Sequence, residues 1–187
     1  MLTAAKHRPT YHPFSIALHW LIFALVSITS MIIWYADDLD DRALHKQLVE
    51  WHRMLGISIL ALMLLRWIFH AFAGKPKPAA INNAMKWLVK GVHSSFYLAL
   101  FCIPMLGWAM TNAFGKPVMW LSLTLPTLVQ RDRDLAENLQ TWHSTAAEVL
   151  LITIALHALA GLYHQYVQKH ASASRMLPQR STNISDK

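Results

Sequence analysis

The chain of 187 residues is 55% hydrophobic and only 14% charged, whereas an ordinary soluble domain carries about 25% charged residues. Eight Trp, five Tyr and seven Phe exclude a disordered chain, and one cysteine excludes a disulfide scaffold. A net charge of +7 would point to nucleic acid in a soluble protein, but the apolar residues fall in runs long enough to cross a bilayer, so the basic residues read first as topology signals and nucleic acid is not an expected partner.

The first run, residues 14–36, holds no acidic or basic side chain except His19. It ends in the acidic segment Asp37–Arg42 without a small-x-small cleavage pattern, which predicts a mature helix rather than a signal peptide. The second run, 48–73, contains Arg53 and Arg66 near its ends, where long side chains reach the interface. The third, 88–113, carries Pro104, which predicts a kink rather than a break. The fourth, 139–168, has Glu148 near its start. The preceding loop, Gly115–Asn138, has room for a short interfacial helix around Val118–Leu125.

These runs predict an all-α, four-helix transmembrane bundle occupying residues 1–187 as one multi-pass domain. Lys6 and Arg8 precede the first helix; Lys75, Lys77, Lys86 and Lys90 fill the second loop; Lys169, Arg175, Arg180 and Lys187 follow the fourth helix. The positive-inside rule places all three segments, and hence both termini, in the cytoplasm. The acidic first loop and the mixed third loop then lie outside.

Eleven His outnumber the ten Asp plus Glu, and ionisable residues inside a membrane span are functional hypotheses by default. His143 and His157 are 14 residues apart on the fourth helix, a rise of about 21 Å on nearly the same azimuth. By depth, His19 is expected to meet His157 on the inner side, and His52 to meet His143 on the outer side. Two imidazoles at each depth suit two b-type haems, since a porphyrin supplies four nitrogens and needs only two axial ligands. Structural zinc takes four protein ligands. Gly56, Ala147 and Gly161 each follow a candidate ligand by four residues and leave room beside it. Phe23, four after His19, breaks that pattern.

Arg66 lies 14 residues after His52 and either pairs a haem propionate or snorkels. His164 and His93 are the quinone candidates on the inner side, each with an interfacial histidine as the alternative. His45 is the rival of His52, though its position in the polar loop counts against it. His7, His12, His70 and His170 are assigned to the interface or the tails. Trp20, Trp51 and Trp142 fit the interfacial aromatic belt. Glu148 is expected to face the bundle interior or a wet pocket near the outer haem. Lys116, Arg131 and Arg133 either attract a small anion to the outer mouth or form a solvated loop.

With IALHW around His19, WHRMLGISILALMLLR from Trp51 to Arg66, GVHSSFYLALFCIPMLGW, TWHSTAA around His143, LHALAGLYHQY around His157 and RMLP at Arg175–Pro178, the chain resembles the bacterial cytochrome b561 family over nearly its whole length. The resemblance implies a small dihaem membrane protein carrying electrons between a donor at one surface and the ubiquinone pool; some members are described as superoxide oxidases. It implies His19, His52, His143 and His157 as ligands of the haem iron. His93 and His164 match recurrent histidines of the pattern. The expected function is therefore electron transfer between a periplasmic donor, possible superoxide or a redox protein, and ubiquinone, an oxidoreductase activity of the superoxide:quinone type. Two other readings are a cytochrome b subunit anchoring a separate periplasmic redox partner and, from another class, a His-lined divalent-metal transporter. The acidic DDLDD loop is a departure that would repel an anionic donor overhead.

Overall fold

The computed structural model describes residues 12–73 and 83–167. Four long helices dominate it: α1 (Pro13–Asp37), α2 (Arg42–Ala73), α3 (Asn83–Ala113) and α4 (Arg133–Tyr166), with a two-stranded hairpin, β1 (Met119–Trp120) and β2 (Leu123–Thr124), between α3 and α4. All four helices are long and apolar enough to cross a membrane. Lys6, Arg8, Lys75, Lys77, Lys169, Arg175, Arg180, Lys187, His7, His170 and the Arg175–Pro178 element lie outside the described residues, as does the expected last residue of the fourth helix.

The helix ends follow from capping more than from hydropathy. Asp41 Oδ1 accepts the backbone N–H groups of Ala43 (2.8 Å) and Leu44 (3.2 Å), so α2 starts at Arg42, well before the apolar run begins at Leu48. His45 therefore lies on the first turns of α2 rather than in a loop. Asp132 caps α4, accepting from Leu135 N–H at 3.0 Å, and the acidic Asp134 sits in the first turn, where the helix dipole favours it. Asp132→Ala is expected to destabilise the protein by about 1 kcal/mol, read as a lower apparent melting temperature in a fixed detergent. α3 runs without a break through Pro104. Thr111 Oγ1 bonds the Gly107 carbonyl one turn back at 2.8 Å.

Close packing joins α1 to α2, α2 to α3 and α3 to α4, the order expected of an up-down bundle. Among the described residues α4 stands off from α1 and α2, and it fully buries only Ala136, Leu139 and Leu150. One apolar layer nevertheless takes a side chain from every helix: Ile22 and Val26, Ile59, Ile103 and Leu150. Leu150 is seven residues from both His143 and His157, about 10 Å of rise either way. The layer therefore divides the bundle into a loop end, where α1 joins α2 and α3 joins α4, and a terminal end, where α1 begins and α4 finishes.

The interfacial helix expected around Val118–Leu125 is a β-hairpin instead. Met119 pairs with Thr124 and Trp120 with Leu123, and Leu125 N–H closes on the Val118 carbonyl at 2.9 Å. Leu121 turns the chain at φ 55°. The physical reason is that alternate residues have separate partners: Val118 is buried and Trp120 reaches α2, while Met119, Leu121 and Leu123 point outward. A two-residue period is a strand period, not a helical one.

Candidate functional site

At the loop end, the imidazoles of His52 on α2 and His143 on α4 lie together, steeply inclined, with ring centroids 6.1 Å apart and planes at 76°. Each ring is held from behind by a backbone carbonyl of the neighbouring helix. His52 Nδ1 bonds Thr29 O on α1 at 3.1 Å, and His143 Nδ1 bonds Ile103 O on α3 at 2.9 Å. A carbonyl only accepts, so each Nδ1 carries the hydrogen and each Nε2 of the neutral ring keeps its lone pair. This is the support that metal-bound imidazoles receive from outside their ligand set.

Gly107 makes room for this arrangement. A Cβ built on it would lie 3.1 Å from His143 Cε1 and 3.2 Å from Nδ1, so the ring packs directly on the α3 backbone one turn beyond Ile103. Gly107→Val is expected to push the ring off the Ile103 carbonyl and cost about 1–3 kcal/mol through overpacking. The check is the visible spectrum of the purified protein together with its melting temperature. The space beside Gly56, one turn after His52, is open, with nothing within 4 Å of an added Cβ.

These features fit an iron porphyrin. His52 and His143, each with Nδ1 committed to a carbonyl, are the residues that would hold such a group through their Nε2 atoms. Among the described residues no three His, Cys, Asp or Glu gather into a metal-ion donor set, which leaves a zinc ion without the further protein ligands it takes.

His45 does not compete for this position. Its Nδ1 bonds the buried Ala36 carbonyl at 2.9 Å, pinning the end of α1 to the start of α2.

The terminal end gathers more groups. His157 on α4 makes ring contacts with His93 (5.7 Å, 90°) and Phe96 (5.2 Å, 78°), both from α3. His19 on α1 has Arg66, His157 and His93 within electrostatic reach. No direct contact joins the His19 and His157 rings among the described residues; the histidine ring in contact with His157 is that of His93. Sequence reading placed His93 at this depth without pairing it. His93 and Phe96 are three residues apart and share a helix face, a signal that was available. Neither His19 nor His157 has a carbonyl bond at Nδ1 among the described residues. Gly161, one turn after His157, again faces open space. The Arg66 guanidinium donates to the Ser15 carbonyl of α1. His164 sits half-buried in the last turn of α4, beside Tyr163.

His70, assigned to the interface, is instead buried, with Nε2 3.0 Å from Ser15 Oγ. Together with Arg66 it fastens α2 to the first turn of α1. Glu148 is also displaced from expectation: its side chain is exposed on the outer face of α4. Five residues after His143, it falls about 140° round the helix from that ligand candidate, so a helix that turns His143 inward turns Glu148 out. Trp20, Trp51 and Trp142 are exposed on the bundle surface, as an aromatic belt requires. Lys116 and Arg131 line one cavity at the loop end with Asn112 and Thr127, whereas Arg133 is engaged with Glu137 at 2.9 Å.

The family model described as prokaryotic cytochrome b561 matches residues 10–179. The chain belongs to the prokaryotic cytochrome b561 family. Among its relatives, the probable superoxide oxidase CybB of Yersinia pestis is 31% identical over 91% of this chain and 97% of its own length. Cytochrome b561 homolog 1 of Escherichia coli K12 is 28% identical over 88% and 95% of the two chains, and cytochrome b562 of Cereibacter sphaeroides is 26% identical over 92% and 98%. The chain is a multi-span prokaryotic membrane protein of electron transfer, and its family implies b-type haem.

Proposed function

We propose that this chain holds two b-type haems, one between His52 and His143 at the loop end and one between His19 and His157 at the terminal end. The observation that carries the reading is the juxtaposed His52–His143 pair, with ring centroids 6.1 Å apart and both Nδ1 atoms on backbone carbonyls. The second group of imidazoles beyond the apolar layer supports the other site. When bound, b-type haem supplies reversible one-electron chemistry at its iron.

The chain's own residues set the conditions for that chemistry. Thr29 O and Ile103 O fix the rings and raise their basicity. The layer of Ile22, Val26, Ile59, Ile103 and Leu150 excludes water between the two ends. Arg66 places a fixed positive charge near His19, where it favours a propionate or another anionic group. His93 and His164, on adjacent helices at the terminal end, are the groups to hydrogen-bond a ubiquinone and hand it protons.

In this reading both termini are cytoplasmic and the loop end faces the periplasm. Electrons enter at the loop end, leave to ubiquinone at the terminal end, and superoxide is the donor that the name of the Yersinia pestis relative brings forward. The exposed Asp37, Asp38, Asp40 and Asp41 favour a second reading of the donor: a basic periplasmic redox protein docking on the acidic α1–α2 connection.

The test is haem content per chain by reduced-minus-oxidised spectroscopy, followed by stopped-flow reduction with superoxide and oxidation with ubiquinone. Two low-spin haems per chain, reduced rapidly by superoxide, are expected. One haem per chain would overturn the dihaem assignment, and no reduction by superoxide would transfer the donor role to a docking protein.

A further inference from the structure

We propose that residues 117–129 form a membrane-embedded hairpin, inserted among the acyl chains of the leaflet at the loop end and anchored to α2 by Trp120. The segment has no charged side chain, although Lys116 and Arg131 flank it closely.

The depth of the hairpin comes from its anchor. Trp120 Nε1 donates to Ser58 Oγ at 3.0 Å, and Ser58 Oγ donates in turn to the Met54 carbonyl at 2.9 Å. Ser58 lies six residues beyond His52, about 9 Å further toward the middle of the bundle, and adjoins Ile59 of the central apolar layer. It also falls within the charge-free stretch between Arg53 and Arg66, the part of α2 that must lie in hydrocarbon.

At that depth backbone polar groups need protein partners, and here many have them. The β1–β2 pairs and the Leu125–Val118 bond satisfy the facing edges of the two strands. Trp108 Nε1 covers the Pro126 carbonyl at 3.0 Å, and buried Asn112 serves the Lys116 carbonyl and the Leu128 N–H at 3.1 and 2.9 Å. The residues left outward are uncharged: Leu121 is 72% exposed and Leu123 59%, beside Ser122, Thr124 and Thr127, and Thr124 Oγ1 is engaged with Met119 Sδ at 3.1 Å. Leu121 also occupies a left-handed conformation, φ 55°, where glycine or asparagine is the cheaper choice. A leucine at such a tip gains in lipid what it would lose in water.

The experiment uses the full haem-loaded chain in lipid nanodiscs. In a Cys102→Ser background, Leu121→Cys, Leu123→Cys, Lys116→Cys and Ile152→Cys are spin-labelled one at a time. Collisional relaxation is then measured with oxygen, which concentrates in lipid, and with a water-soluble nickel chelate. Labels at 121 and 123 are expected to match the exposed α4 position 152, with oxygen access severalfold above nickel access, while the label at 116 shows the reverse. Adding Trp120→Phe, which keeps the apolar bulk but removes the donor, is expected to raise nickel access at 121 severalfold. Nickel access at 121 and 123 equal to that at 116 would make the segment an aqueous loop. Shielding from both reagents would mean that a protein chain, not lipid, covers it. Either result overturns the proposal.

Discussion

Replacing His143 with leucine is expected to remove about half of the bound haem while the remaining half keeps a low-spin b spectrum, since each site depends on both of its imidazoles. His52→Leu should remove the same half. The double variant should lose no more than either single one, because two residues that act as one site are not additive. His45→Leu is expected to retain the full complement, its imidazole being committed to the Ala36 carbonyl at 2.9 Å. Far-ultraviolet dichroism alongside haem content checks that the helices persist. Full haem content in His143→Leu would refute the loop-end site.

The second large effect concerns the other end. His19→Leu and His157→Leu are expected to remove the complementary half of the haem, leaving His52 and His143 occupied. His93→Leu should keep both haems, yet slow oxidation of the protein by ubiquinone and alter its dependence on pH, as expected of a residue that binds or protonates the acceptor. The structure makes this comparison decisive, because His93 is the histidine whose ring lies 5.7 Å from that of His157. If His93→Leu lost a haem and His19→Leu did not, the terminal pair would be His93 and His157. The haem count of the three variants separates the two assignments without any activity measurement.

Much of the site was legible because a helix converts spacing into position. Fourteen residues from His143 to His157 are nearly four whole turns, so the two rings had to share a face at two depths, and antiparallel neighbours supplied partners at matching heights. Gly56 and Gly161, one turn from proposed ligands, do open onto free space. What spacing could not supply was azimuth relative to another helix. Glu148 was expected inside and is exposed; His70 was expected at the interface and is buried against Ser15.

Composition, hydropathy and charge alone pointed to four membrane spans, roughly where they run, and to His19, His52, His143 and His157 as candidates at two levels within them. Those properties are local sums along the chain, set by the cost of taking charges into hydrocarbon and by the fixed rise of a helix. Tertiary structure alone decided which nitrogen of His52 and His143 is left to bind, because that depends on carbonyls of α1 and α3, 23 and 40 residues away. It decided that His93 lies against His157, that Gly107 seats His143, and that the uncharged loop is a hairpin reaching Ser58. Each of these is a contact between distant segments, created only when the helices pack.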